Sequence, residues 1–434
     1  MVAVALKPLR AEIRSFQVGF GDCFLLTFVY SEQDKRHVLI DFGTTALPRK
    51  GKPSKQMPLV ADAIKNIVGE NGRLTAVVAT HRHADHISGF GTDDATGRSG
   101  TVIRALRPRL VLQPWTEDPD AAVDAKHATT LTGTKQGFVA SLATMNDIAG
   151  RVQRLAASNP SWMSAAVRKE LSFLGEDNIA NKSAVENLIA MGKAEGAKAK
   201  YLRYGDKTGL ERHLPGVKVR VLGPPDLTQT DGIRKQRSKD NDQFWHFVQG
   251  AVSMRAASEA TEGGSKKARG RPVPAEARWF RDRLQTLSGQ SLLEIVRQLD
   301  QQMNNTSLIL LFELNGKKLL FPGDAQLENW SYALAEAPDH EAVCKTLAEV
   351  DFYKVGHHGS LNATPRKLLW EAFAKRKDRA LLTMMSTMKG KHGNPAKKTE
   401  VPRRTLLAAL QAQSQLKDTS TLKAGVLEHV TVIQ

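Results

Sequence analysis

An α/β fold built round a metal-binding loop is what this 434-residue chain predicts, and three observations predict it. The apolar, β-branched run Leu74-Thr-Ala-Val-Val-Ala-Thr80 reads as a buried strand that ends in a loop. It leads directly into His81-Arg-His83-Ala-Asp85-His86, three imidazoles and a carboxylate within six positions. Around this loop, strand-like and helix-like stretches alternate along the chain.

Taken in order, Glu12 to Tyr30 and His37 to Phe42 read as paired strands joined by the polar stretch Ser31 to Arg36. Pro58 to Val68 places Leu59, Ala63, Ile64 and Ile67 at helical spacing. Arg104 to Gln113 is a further short strand, and residues 136–199 read as helical, with Trp162, Leu171, Phe173 and Leu188 as core-facing positions. Strand character returns at Val217 to Leu222. Residues 226–302 begin polar at Asp231 to Asp240, pass a packed Phe244-Trp-His-Phe247, loosen from Ser258 to Pro274, and close in an amphipathic helix from Leu292 to Met303.

The ligand types carry their own chemistry. Neutral imidazole nitrogen and carboxylate oxygen suit zinc, and also manganese or iron, so the metal stays open. A histidine-rich surface turn is the bland alternative. The combination of residue identity, spacing and a preceding buried strand favours ligands held rigidly at a strand end.

Three more segments follow in a telling order: Leu39-Ile-Asp41-Phe-Gly43, Lys318-Leu-Leu-Phe-Pro-Gly-Asp324 and Tyr353-Lys-Val-Gly-His-His-Gly-Ser360. With the His81–His86 loop, they resemble the signature of the metallo-β-lactamase superfamily. The resemblance implies an αββα sandwich in one domain, residues 1–434, with a helical insertion at about 118–200 and a basic one at about 226–302. Both insertions then read as lid or substrate-channel elements. It further implies two divalent metal ions, zinc or manganese. His81 and His83 would bind the first, and Asp85 and His86 the second. Asp324 would bridge both, and His357 or His358 would complete the second site. His357 is the preferred ligand of that pair, leaving His358 for the substrate or a leaving-group oxygen. Asp41 would hold a ligating histidine from behind, and Asp22, on a glycine-flanked turn, would come near the cleft or simply cap the turn. Such a pair of ions generates a metal-activated hydroxide that attacks phosphorus or a carbonyl, with Asp85, Asp324, His358 and His392 as the residues of the chemistry.

Within the superfamily, the nuclease-like domain of the ComEC competence proteins is similar to islands of this chain. These are Gln17 to Leu26, Gly216 to Pro225, Asn304 to Leu311 and the His357-His358-Gly-Ser block. One departure follows from that likeness. Zinc hydrolases of this fold carry another histidine where this chain has Asn304-Asn305-Thr-Ser, so Asn305 would be a weak oxygen ligand of a looser first site. His127, His213 and His246 are alternative recruits, more simply read as surface or packing residues. His392 occupies the place of a late histidine-glycine-proline segment and is a candidate proton donor.

Charge narrows the substrate. The chain has 62 Lys and Arg against 45 Asp and Glu, a net +17, which favours polyanions, nucleic acid above all. Lys266, Lys267, Arg269 and Arg271 surround an Arg-Gly-Arg-Pro core resembling an AT-hook, a minor-groove binder; a solvated basic linker is the alternative. Cys23 and Cys344 form no paired motif. The absence of an apolar leader points to a cytoplasmic protein without membrane contact. The reading is therefore a metal-dependent nuclease or phosphodiesterase, with a small-molecule metallohydrolase or a non-catalytic DNA-binding component as alternatives.

Overall fold

The computed structural model describes residues 6–48, 51–118, 181–230, 303–360, 363–374, 380–392 and 400–434. The expectations on Trp162, Leu171, Phe173, His127, His246, the Phe244–Phe247 cluster and the basic residues Lys266, Lys267, Arg269 and Arg271 fall outside them.

Two β-sheets carry the fold. In the first, β1 (Arg10–Phe16), β2 (Cys23–Val29) and β3 (Lys35–Phe42) run antiparallel. The sheet then continues in parallel through β4 (Leu74–Val78), β5 (Leu110–Pro114) and β6 (Lys198–Leu202). The second holds β7 (Val217–Gly223), β8 (Ile309–Leu314), β9 (Lys317–Phe321), β10 (Phe352–Lys354), β11 (Leu381–Met385) and β12 (Ser414–Asp418). The last strand, β13 (Glu428–Ile433), returns to the first sheet beside β1.

Strand periodicity decides what each face buries. Phe24, Leu26 and Phe28 of β2 point between the sheets, where they meet Phe312, Phe321 and Phe352. Leu25 and Leu39 point the other way, against Met57, Val60 and Ile64 of helix α1 (Pro53–Val68) and against Leu188 and Met191 of the helix Lys182–Lys193. On the far side, Leu311, Leu320 and Tyr353 meet Trp330, Val343, Leu347 and Leu410 from the outer helices. The layers are helix, sheet, sheet, helix. Because both faces of the central strands are covered, β2 and β4 are buried at every position.

The elements differ from the sequence reading in four places. Glu12 to Tyr30 is two strands, broken where Gly19 takes φ of 76°. Helix α1 starts at Pro53, a favourable first helical position, and runs through Pro58. The stretch expected as a strand from Arg104 starts instead in the helix α3 (Ser99–Ala105), and extends only from Leu110. Residues 198–202 form the edge strand β6, although the helical reading ran on to Ala199. The helix Lys182–Lys193 and β6 pack with the first sheet.

Candidate metal centre

Parallel strands that end together bring their following loops together. Asp41 closes β3, the His81–His86 loop follows β4, Asp324 follows β9 through Pro322-Gly323, and His357-His358 follow β10. Short helix α2 (Ala84–Ile87) turns Asp85 and His86 back over the cleft. Gly43 makes this possible, because a Cβ there would lie 2.5 Å from the backbone of Ala84, Asp85 and His86.

Asp85, His86, Asp324 and His358 each offer a ligand atom within 4.8 Å of the others. His358 Nε2 lies 2.8 Å from Asp85 Oδ2, and His86 Nε2 lies 3.1 Å from Asp324 Oδ2. His81 and His83 adjoin this group. Their facing nitrogens are 2.9 Å apart, and the His81 and His86 ring centroids lie 4.2 Å apart. His81, His83 and His86 are all buried.

Asp41 stands behind the ligands. Its Oδ1 accepts from Thr80 N at 2.7 Å, and its Oδ2 accepts from Thr80 Oγ1 at 2.7 Å and lies 2.8 Å from His86 Nδ1. Asp22 enters the same network, 3.7 Å from both His86 Nδ1 and His358 Nδ1, and its carboxylate pairs with Lys354. Asp22, Asp41 and His86 make a second group able to hold a cation.

The two adjacent histidines exchange the places expected of them. His358, fully buried, joins the four-residue group, with its Nδ1 donating to Ser386 O at 2.9 Å. His357 stays at the rim, its side chain about a quarter exposed and its Nε2 3.8 Å from Asp324 Oδ2. Both residues take positive φ, 45° and 51°, and this tight turn directs the two rings apart.

Asn305 is buried, but the contact it makes is with Glu328, to which its Nδ2 donates at 2.9 Å. His213 lies among arginines on another rim of the molecule. His392 does come near the centre: Phe20 packs on it at 4.1 Å between ring centroids and on His358 at 4.2 Å.

Two residues, one buried and one half-buried, escaped the sequence reading. Lys354 donates to Gly323 O at 3.0 Å and lies 3.4 Å from Asp324 Oδ1. A lysine inside the apolar strand Phe352-Tyr-Lys-Val355 was the available signal. Arg82, between the two first histidines, forks onto Glu117 Oε2 at 2.5 and 2.8 Å and so ties the loop to the end of β5.

Electrostatics sort these groups. Burial, then His86 and His83, hold His81 well below the usual histidine range. Burial pulls His86 the same way, but Asp324, Asp41 and Asp85 outweigh it and hold it well above. For Asp324 burial favours the acid form, yet His86, Lys354, His357 and His358 keep the carboxyl well below its ordinary value. Burial brings His392 down to about 4.

The donor set fits divalent cations on one observation in particular. His86 Nε2 and Asp324 Oδ2 are buried and face each other, yet neither has hydrogen-bond geometry with any group. Buried polar atoms are nearly always satisfied, and a cation between this nitrogen and this oxygen would satisfy both.

The family model of the metallo-beta-lactamase superfamily matches residues 17–102, from the end of β1 through the His81–His86 loop to α3. Residues 17–102 carry a metallo-β-lactamase superfamily domain. No curated protein matches the chain. The superfamily match places the loop ligands of the metallo-β-lactamase domain within a single stretch, whereas Asp324 and His358 come from the second sheet. Proteins of this superfamily are mostly metal-dependent hydrolases, and the His/Asp groups of this metallo-β-lactamase domain could hold the metal. Among its described residues no helix is long and apolar enough to cross a membrane.

Proposed function

We propose that this protein is a metal-dependent nuclease or phosphodiesterase acting on DNA. The observation that carries the reading is the buried Asp85–His86–Asp324–His358 group in a chain of net charge +17. His81, His83, Asp85, His86, Asp324 and His358 would hold two divalent ions, zinc or manganese. Such ions supply an acidified water and neutralise the charge that builds on a phosphodiester under attack.

The chain's own residues do the rest. Asp41 fixes the His86 tautomer by accepting from Nδ1, so that Nε2 presents its lone pair to the cleft. Asp324 is kept ionised by its cationic neighbours and so would be ready as a ligand. His357, at the rim and about a quarter exposed, would meet the substrate, and Phe20 packs on both His392 and His358. With its basicity lowered by burial, His392 is neutral at pH 7 and would have to gain a proton before it could donate one. The basic residues Lys266, Lys267, Arg269 and Arg271 would add phosphate contacts, and the protein would work in the cytoplasm.

The purified chain loaded with manganese or zinc should cut linear or single-stranded DNA, and His83→Ala and Asp324→Ala should each abolish cutting while leaving the circular dichroism spectrum unchanged. Cleavage that persists in both variants rejects the reading. Turnover of a generic phosphodiester without any cutting of DNA replaces it with a small-molecule hydrolase.

A further inference from the structure

The starts of β3, β4, β5 and β6 lie in one row, with His37 paired to Leu74, Ala76 to Leu110 and Leu110 to Lys198. The metal centre grows from the other ends of β3 and β4, so this row is the opposite rim of the sheet. Basic residues crowd it: Arg36, Arg73, Arg107, Arg109, Lys198 and Arg212.

Backbone contacts hold them in place. Arg36 Nη1 donates to His213 O at 2.7 Å, next to Arg212, while its Nη2 pairs with Asp34 at 2.8 Å. Arg73 donates to the carbonyls of Arg107 and Gly196, the latter at 2.7 Å. Lys198 N donates to Arg109 O at 2.9 Å. Only Arg36 has a carboxylate partner among the described residues. Burial, then Arg109 and Arg107, hold the Arg73 guanidinium below its ordinary value, and burial followed by Arg109, Arg36, Arg73 and Arg212 does the same to His213. Five cations with no carboxylate partner among the described residues repel each other, and an anion bridging them would relieve that repulsion.

We propose that this rim binds the phosphodiester backbone of a nucleic acid, extending the substrate contact away from the metal centre. The inference rests on the nucleic-acid reading given above. Strands spaced about 4.8 Å apart make the row about 14 Å wide, room for about four phosphates of one strand. Arginine predominates, and its planar fork suits phosphate oxygens. The exposed large apolar residues (Leu6, Leu9, Leu59, Val426, Val430 and Val432) all lie on other segments, which disfavours a lipid surface. From Arg36 to Asp41 the strand rises about 17 Å and from Arg73 to His81 about 26 Å, so about five to eight base pairs would join rim and metal centre.

The test is equilibrium binding of a 30-base-pair DNA duplex (about three turns), the matching RNA duplex and a single strand to the full chain in EDTA, across a salt series. The variant Arg109→Gln/Lys198→Gln/Arg212→Gln is compared with Lys55→Gln/Lys65→Gln/Lys423→Gln, which removes three exposed lysines elsewhere. The rim variant should bind more weakly, and its log–log salt slope should be shallower by about 2 to 3 on a duplex. The control should shift by less than half of that. The DNA and RNA arms decide which backbone is preferred. An unchanged slope, equal shifts in both variants, no binding by the parent protein, or a loss confined to phosphatidylserine vesicles would each overturn the proposal. Normal binding without cleavage would instead defeat the hydrolase reading alone.

Discussion

The Nδ1 of His86 lies 2.8 Å from Oδ2 of Asp41, and this contact decides which face of the imidazole looks into the cleft. Asp41 itself has φ of 56°, a left-handed conformation that is uncommon for a residue other than glycine. The carboxylate is locked there by two bonds from Thr80. Replacing Asp41 by Asn keeps the size and removes the charge, and should weaken zinc or manganese binding about 10- to 100-fold. Titration calorimetry reads this directly. An unchanged affinity would deny Asp41 its supporting role.

His358 and His357 offer a sharper comparison. Since His358 lies in the four-residue group and His357 on its rim, His358→Ala should lower bound metal well below one equivalent per site. His357→Ala should keep metal content near that of the parent and act mainly on substrate turnover. Elemental analysis of the two purified variants would reverse the assignment if His357→Ala were the one to lose metal.

Lys354 is 3% exposed and sits between Asp22 and Asp324. Both carboxylates press its ammonium above the usual lysine range, against the pull of burial. Lys354→Met would leave two buried carboxylates without their cation, a change that costs about 3–5 kcal/mol. Urea unfolding of the metal-free protein should show that loss, and added divalent metal should recover part of it. Equal stability of variant and parent would mean that the lysine is not the counter-charge.

His37 gives the pH dependence. It is buried on β3 beside Thr27 Oγ1, 3.0 Å from its Nδ1, and burial brings it down to about 4 from 6.5. The unfolded chain therefore binds the proton more readily between those values. The resulting stability is fully present above about pH 6.5 and declines as pH falls toward 4, by up to about 3 kcal/mol. His37→Gln should flatten this stretch of the stability curve. A slope that matches the parent between pH 6.5 and 4.5 would place the proton uptake elsewhere.

Much of the fold and of the candidate site was legible in the chain. Val77 and Val78 run into His81 without a break, so a buried strand with ligands at its end followed from residue types alone. Asp41 and Asp324 were placed through the family resemblance, each at the end of an apolar strand-like run. The edge strand β6 was missed because Lys198-Ala-Lys-Tyr-Leu202 has one covered face at most and so carries no long apolar run. Lys354 and Arg82 were missed because a paired cation is recognisable only by its carboxylates, and these lie far away in sequence, as Asp22 and Glu117.

The sequence alone determined the types of ligand, their local spacing in the His81–His86 loop and the alternation that layers helices on sheets, since those depend on neighbours a few residues apart. Tertiary structure decided which of His357 and His358 turns inward, what Asn305 touches and where the arginines of the β3–β6 rim gather. Those outcomes depend on contacts between strands hundreds of residues apart, such as the one that brings Asp85 within 2.8 Å of His358, and no local pattern encodes them.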